Sequence, residues 1–244
     1  MTTRTLKVLS ALLSYPTQEL QAAMPELKAA IDEEALLPGA ARRMIEPLLV
    51  EVVNGDLYEL QERYVLLFDR TRSLSLHLFE HVHAESRDRG QAMIDLKAQY
   101  EATGLHIDAA ELPDFVPLFL EFVSTRPRSE AYELLGQPAH IFAVLAERLR
   151  KRSSAYEAVF RALLALAAAK PRADEVSALL TEPDPDATDL AALDIAWEDA
   201  PVRFGPDAGN GCKDGLIAKI RAGLRPAPGV ANAAPNRTRR AQGG

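Results

Sequence analysis

Apolar residues return every third or fourth position through most of the first 180 or so residues of this chain, the repeat of α-helices that each bury one face. Leu6, Leu9, Leu12 and Leu13 predict a first helix over residues 3–14. Its apolar run is short, and Tyr15-Pro16 follows in place of a small-residue cleavage site, so it reads as an amphipathic helix and not a signal peptide. Thr17 is placed to cap a second helix, and residues 40–53 predict a third, interrupted or kinked at Pro47. Asp56 caps a fourth that carries Leu57, Leu60, Tyr64 and Leu67/Phe68. Ser86 caps the next, with Met93, Leu96 and Tyr100 as its stripe and Gly104 as its stop. Residues 112–124 predict a helix opened by Pro113. Pro138 starts another, which ends in Arg148, Arg150, Lys151 and Arg152, cations that suit the negative end of a helix dipole. Ser154-Ala-Tyr-Glu157 has the form of a capping box for a helix through Ala169, and Asp174 opens a short last one. Alternating β-branched runs are nearly absent. The pattern predicts an all-α fold of about nine or ten helices.

The pattern fades near Glu182-Pro183-Asp184-Pro185. Five of the 13 glycines precede residue 200 and eight follow residue 204, a shift that separates a folded body from a loose tail. The expected organisation is a helical domain over 1–182, a segment over 183–212 that docks on the body through Leu190 to Trp197, and a basic, disordered tail over 213–244. Within that tail Leu216, Ile217, Ile220 and Leu224 alternate with Lys219, Arg221 and Arg225, a short basic amphipathic pattern that could touch anionic lipid. The longest uncharged run, residues 134–146, is 13 residues long and too short for a membrane span of ~20. No stable membrane insertion is expected.

Charge changes the picture. The formal net charge of −7 divides into seven Lys/Arg against one Asp from residue 213 onward, +6, and −13 over the preceding 212 residues. An acidic body repels nucleic acid and suits a basic polypeptide, although acidity also simply favours solubility. A single cysteine, Cys212, excludes an internal disulfide and fits a reducing compartment.

Three of the five histidines fall in Ser75-Leu-His-Leu-Phe-Glu-His-Val-His83. His77, Glu80 and His81 form H-x-x-E-H, the inverted zinc-peptidase pattern, which on a helix would set two imidazoles one turn apart with a carboxylate base beside them. A zinc-dependent hydrolase is therefore an alternative reading, against which stands the lack of any third-ligand motif. Histidines and acids satisfying one another at a helix bend is the plainer one. The segment 205–213 lacks the Gly-Lys-Ser/Thr ending of a phosphate loop, and Asp184-Pro-Asp186 lacks the glycine of a calcium loop. There is no G-x-S-x-G elbow. In Glu111-Leu-Pro-Asp-Phe-Val-Pro-Leu-Phe-Leu-Glu-Phe122, a helix would put Phe115, Leu118, Phe119 and Phe122 on one face and bring Asp114 near Glu121 at i, i+7.

Tyr64-Val-Leu-Leu-Phe-Asp69, SLHLFEHVHAESRDRGQAM from Ser75, LPDFVPLFLEF from Leu112, and Leu193-Asp-Ile-Ala-Trp-Glu-Asp-Ala-Pro-Val-Arg-Phe204 together resemble the redox-enzyme maturation chaperones of the NarJ/TorD group, and within it the nitrate reductase molybdenum-cofactor assembly chaperones. The resemblance covers residues 5–212. It departs from the group at Phe115, where the wider family often has the histidine of Pro-Asp-His, so no ligand role carries over to that position. The resemblance implies a single all-α, TorD-like helical chaperone domain that is not an enzyme and is cytoplasmic. It implies a client, the apo α-subunit of respiratory nitrate reductase, bound in part through its N-terminal segment before molybdenum cofactor insertion and membrane docking. It admits molybdenum-cofactor biosynthesis proteins as further partners, with the cofactor carried by the client and none held stably by this chain. An amphipathic client helix would lie in a groove between helices. The candidate client-binding residues are Tyr64, Phe68, Phe79 and Phe119 as an apolar floor, Glu80, Glu85, Asp88, Asp114 and Glu121 as partners for client cations, and Arg87 beside them. His77, His81 and His83 are expected to titrate near neutral pH and tune release.

Overall fold

The structure is a computed structural model that describes residues 3–82, 87–107, 111–186 and 188, with the side chains of Arg87 and Asp88 outside the description. Among the described residues there are ten α-helices and no β-strand: α1 (Arg4–Leu12), α2 (Gln18–Glu34), α3 (Gly39–Asn54), α4 (Leu57–Tyr64), α5 (Arg87–Ala102), α6 (Val116–Ser124), α7 (Arg128–Gly136), α8 (Ala139–Lys151), α9 (Glu157–Leu166) and α10 (Ala173–Leu180). The expected all-α fold is observed. The stripes anticipated from the sequence are the buried faces: Leu6, Leu9 and Leu12 of α1, and Leu96 and Tyr100 of α5, belong to one continuous core. Helices α8 and α9 pack together, α9 also packs on α3, and α1 packs on α6. The α1–α6 approach is close enough for Ser10 Oγ to donate to the Pro117 carbonyl at 2.7 Å, which satisfies a buried hydroxyl.

Two caps act as expected. Thr17 accepts from the Leu20 amide, and Asp56 from the amides of Tyr58 and Glu59. Gly104, with φ +82°, follows α5 and lets the Leu105 amide turn back to the Tyr100 carbonyl at 3.0 Å.

Several expectations are corrected. Pro47 does not interrupt α3, which runs from Gly39 to Asn54 as one helix. Arg43 and Pro47 are both exposed, so a carbonyl that proline cannot serve can turn to water. The helix expected over 112–124 starts only at Val116. Pro117 has no N–H, so it is tolerated in a first turn and not in an interior. The carbonyl of Pro113, which an interior residue 117 would have served, instead accepts from Tyr100 Oη at 2.8 Å. Ser154 and Glu157 do not form a capping box: Ser154 Oγ meets the Tyr156 amide, and the Glu157 carboxylate pairs with Arg161. Helix α9 stops at Leu166 because the chain turns away, and the Ala168 amide donates to the Tyr132 carbonyl on α7 at 2.9 Å.

Arg148 is not a solvated helix-end cation. It is 2% exposed, and its guanidinium donates to the carbonyls of Ser73 (2.7 Å), Leu179 (2.9 Å) and Glu182 (3.4 Å). Beside it Arg152 grips Asp184 with both guanidinium nitrogens, and Ser73 Oγ donates to the same carboxylate at 2.7 Å. Burial would raise the Asp184 carboxyl, but Arg152 and Ser73 hold it below the usual range. This cluster ties α8, α10 and the chain beyond it to the loop that leads into the histidine turn. The residues expected to dock, Leu190 to Trp197, together with Cys212 and the basic tail, lie outside the described residues.

Candidate functional site

Helix α4 passes into a π-turn, Val65–Asp69, which drives Leu67 and Phe68 inward and re-aims Asp69. A 3₁₀ turn at Arg72–Leu74 and a second at Leu78–His81 follow. His77 is therefore extended, and His77 and His81 are not one α-turn apart on a helix. His77 instead forms an isolated antiparallel bridge with Phe115, in which the Leu78 amide donates to the Asp114 carbonyl (3.1 Å) and the Val116 amide to the Leu76 carbonyl (2.8 Å).

Asp114 is the centre of this histidine turn. Its carboxylate is fully buried; Oδ2 accepts from the Phe79 amide at 3.0 Å and Oδ1 lies 3.3 Å from His77 Nδ1. The hydrogen bond to Asp114 raises the His77 pKa against the opposing effect of burial, and the charges of Asp114, Glu80 and Glu111 add to the rise. His81 behaves oppositely. Its Nε2 donates to the Ser75 carbonyl at 2.8 Å, which fixes the tautomer, and burial lowers its pKa to about 4. The expectation that His81 titrates near neutral pH is thus corrected: it is neutral across that range. Asp69 remains exposed, yet partial burial first and the Glu111 carboxylate second push its pKa up, with His77 opposing. Glu80 pairs with Arg89 at 3.4 Å.

Tyr64, Phe68, Phe79 and Phe119 are all core side chains. Tyr64 and Phe68 meet Tyr156 edge to face, and Tyr64 Oη donates to the Leu13 carbonyl at 2.9 Å. In this conformation none of the four rings floors an open groove, because their faces are spent on the helix packing. Asp114 is likewise turned inward, and Glu121 is exposed on α6, so the two carboxylates do not act as an i, i+7 pair. His83 and Glu85 lie outside the described residues, as do the side chains of Arg87 and Asp88.

An open cleft of about 270 Å³ adjoins Phe115 and runs between the end of α5 and α6. Leu105, Ile107, Phe115, Leu118 and Phe122 give it apolar walls, Ser14, Tyr100 and Pro117 also line it, and His106, Glu111 and Glu121 bring polar groups to it. Among the described residues no cation is ion-paired with Glu111 or Glu121. An apolar trough with two available carboxylates is suited to a side chain or helix face that is apolar and flanked by cations. The sequence pattern marks Phe115, Leu118 and Glu121 but not Leu105, Ile107 or His106; the signal for those is an apolar alternation directly after the helix-stopping Gly104.

The described residues contain no group of three His, Cys, Asp or Glu side chains placed to hold a metal. His81 Nε2 is engaged by a backbone carbonyl and His77 by Asp114, so the H-x-x-E-H string here is a hydrogen-bonded turn. No helix among the described residues is long and apolar enough to cross a membrane.

Comparison with known proteins bears on the same region. A family model described as nitrate reductase delta subunit matches residues 15–162. The chain is 42% identical over 212 residues to the nitrate reductase molybdenum cofactor assembly chaperone NarJ of Escherichia coli K12, covering 87% of this chain and 89% of that protein. It is 41% identical over 207 residues to the probable nitrate reductase molybdenum cofactor assembly chaperone NarW of the same strain, covering 85% and 86%. A putative redox enzyme maturation protein from Archaeoglobus fulgidus aligns in structure with a TM-score of 0.47 and 20% identity, over 67% of this chain and 91% of that one. The reading as a zinc hydrolase has no support in these relatives, and the chain belongs to the nitrate reductase delta subunit family, among the nitrate reductase molybdenum cofactor assembly chaperones.

Proposed function

We propose that this chain is a system-specific chaperone for the apo catalytic subunit of a respiratory nitrate reductase, and that it takes the N-terminal segment of that subunit in the α5–α6 cleft. The kinship with proteins named for nitrate reductase molybdenum cofactor assembly supports the client class. The observation that carries the binding mode is the cleft itself, apolar along its walls, with no ion pair at Glu111 or Glu121 among the described residues. A short amphipathic segment laid there would bury an apolar stripe and set its own Lys or Arg against those carboxylates. The histidine turn braces the cleft from behind, because Phe115 belongs to both.

In this reading the chaperone works by occupancy and breaks no bond. It holds the client before cofactor insertion, the cofactor rides on the client, and docking of the client to the membrane waits until the chaperone leaves. Proteins of molybdenum-cofactor biosynthesis are its further partners, and the cytoplasm is its compartment.

Titration calorimetry of the full chain with a peptide copying the N-terminal segment of its reductase's catalytic subunit tests this. Saturable one-to-one binding is expected, weakened at least tenfold by Leu118→Asp. Undiminished binding by that variant would remove the cleft from the account. Failure to recover the reductase subunit with the tagged chaperone from cells making both would remove the client.

A further inference from the structure

We propose that the chain's own basic segment, residues 213–225, occupies the α5–α6 cleft when no client is present and is the competitor a client must displace. This rests on the cleft being the client site and adds its regulation.

The two partners are complementary in chemistry. Residues 213–225 carry Leu216, Ile217, Ile220 and Leu224 at helical spacing, with four cations, Lys213, Lys219, Arg221 and Arg225, against one acid, Asp214. On a helix Ile217, Ile220 and Leu224 would share one stripe, with Arg221 and Arg225 along its flank. The cleft presents the reverse: apolar walls from Leu105, Ile107, Phe115 and Leu118, with Glu111 and Glu121 beside them. These carboxylates sit on a body of net charge −13, while the chain from residue 213 onward carries +6. A segment of this length is marginal as a helix in water, so an apolar surface with opposite charge is what it needs to order.

The tether allows it. The chain is held on the body as far as Asp184 through Arg152 and Ser73. Twenty-four residues, 189–212, separate Thr188 from Lys213. Extended, they span up to ~80 Å. A domain of this size is roughly 40 Å across, so the segment reaches any face. Tethering supplies an effective concentration on the order of 1 mM, which lets a contact with a Kd of about 0.1 mM stay mostly closed and weakens client binding roughly tenfold. The client segment is then selected for being better at the same chemistry than the chain's own residues.

The single cysteine, Cys212, adjoins the segment and gives a probe in the full chain. With a nitroxide on Cys212, the amide signals of residues 105–107 and 118–122 should broaden selectively, equally at high and low protein concentration. The broadening should vanish in a full-length variant with Lys213, Lys219, Arg221 and Arg225 changed to Glu, and on adding the client peptide. That variant should also bind the peptide about tenfold more tightly. Broadening absent from the cleft, or unchanged by the charge reversal, would overturn the proposal and leave the client site standing if the peptide still binds. Broadening that disappears on dilution would assign the occupant to a second copy and overturn it as well. Selective, reversal-sensitive broadening with no peptide binding to either form would retain the internal contact while refuting the client reading.

Discussion

The histidine turn and the cleft beside it share Phe115 but solve opposite problems. Among the described residues of the turn the conspicuous polar groups are spent on neighbours: Asp114 on His77 and the Phe79 amide, His81 on the Ser75 carbonyl, Glu80 on Arg89. In the cleft the carboxylates of Glu111 and Glu121 make no ion pair among the described residues, and apolar side chains face a void. The lesson is that a dense motif marks where a chain must satisfy itself, whereas a binding surface is recognised by what is left unsatisfied. The most eye-catching residues hold the scaffold, and plainer ones line the open cleft.

The largest expected effect comes from breaking the turn. Asp114→Ala strands the buried Phe79 amide and the His77 ring and should cost about 3 kcal/mol in urea unfolding. Asp114→Asn keeps an acceptor for the amide and should cost less than half as much; equal losses would show that the carboxylate's hydrogen bonds are not what holds the turn.

The two histidines should next divide the pH dependence of stability between them. His81 is held neutral with a pKa of about 4, so it contributes stability that is present above its unfolded value of ~6.5 and lost as pH falls from there towards 4, by roughly 3 kcal/mol at most. His77 has a raised pKa, so its contribution is present below ~6.5 and lost as pH rises through its folded value. Stability from the pair is therefore greatest near pH 6.5. Unfolding of His81→Gln followed from pH 6.5 to 5 should fall less steeply than that of the parent chain. Parallel curves would contradict the burial of a neutral His81.

Changes in the cleft should reverse the pattern, with little effect on stability and a clear one on binding. Glu111→Gln and Glu121→Gln should each leave the midpoint of unfolding within error, lower affinity for a cationic client peptide about threefold, and flatten its salt dependence. Loss of stability without loss of affinity would place these carboxylates in the scaffold. The smallest effect belongs to Glu80→Gln, which removes a partly exposed pair with Arg89 and should change stability by less than about 0.5 kcal/mol.

The sequence alone determined the all-α class, most helix positions and the caps at Thr17 and Asp56, because periodic burial and cap hydrogen bonds are local and are written within a few residues of one another. The motif resemblance pointed to the same family as the comparisons. Tertiary structure decided the rest. Arg148 reads as a helix-end cation until Ser73, Leu179 and Glu182 bring their carbonyls to it from far along the chain. Residues 112–115 read as helix until the Leu78 amide claims the Asp114 carbonyl, Tyr100 claims the Pro113 carbonyl, and the Val116 amide turns to Leu76. The aromatic floor expected from Tyr64, Phe68, Phe79 and Phe119 became core, and the open surface passed to Leu105, Ile107 and Leu118. The physical reason is the same in each case. A side chain's own character fixes whether it seeks an apolar or polar setting, but which neighbour supplies that setting, and so which groups are left over for a partner, depends on contacts between residues tens of positions apart.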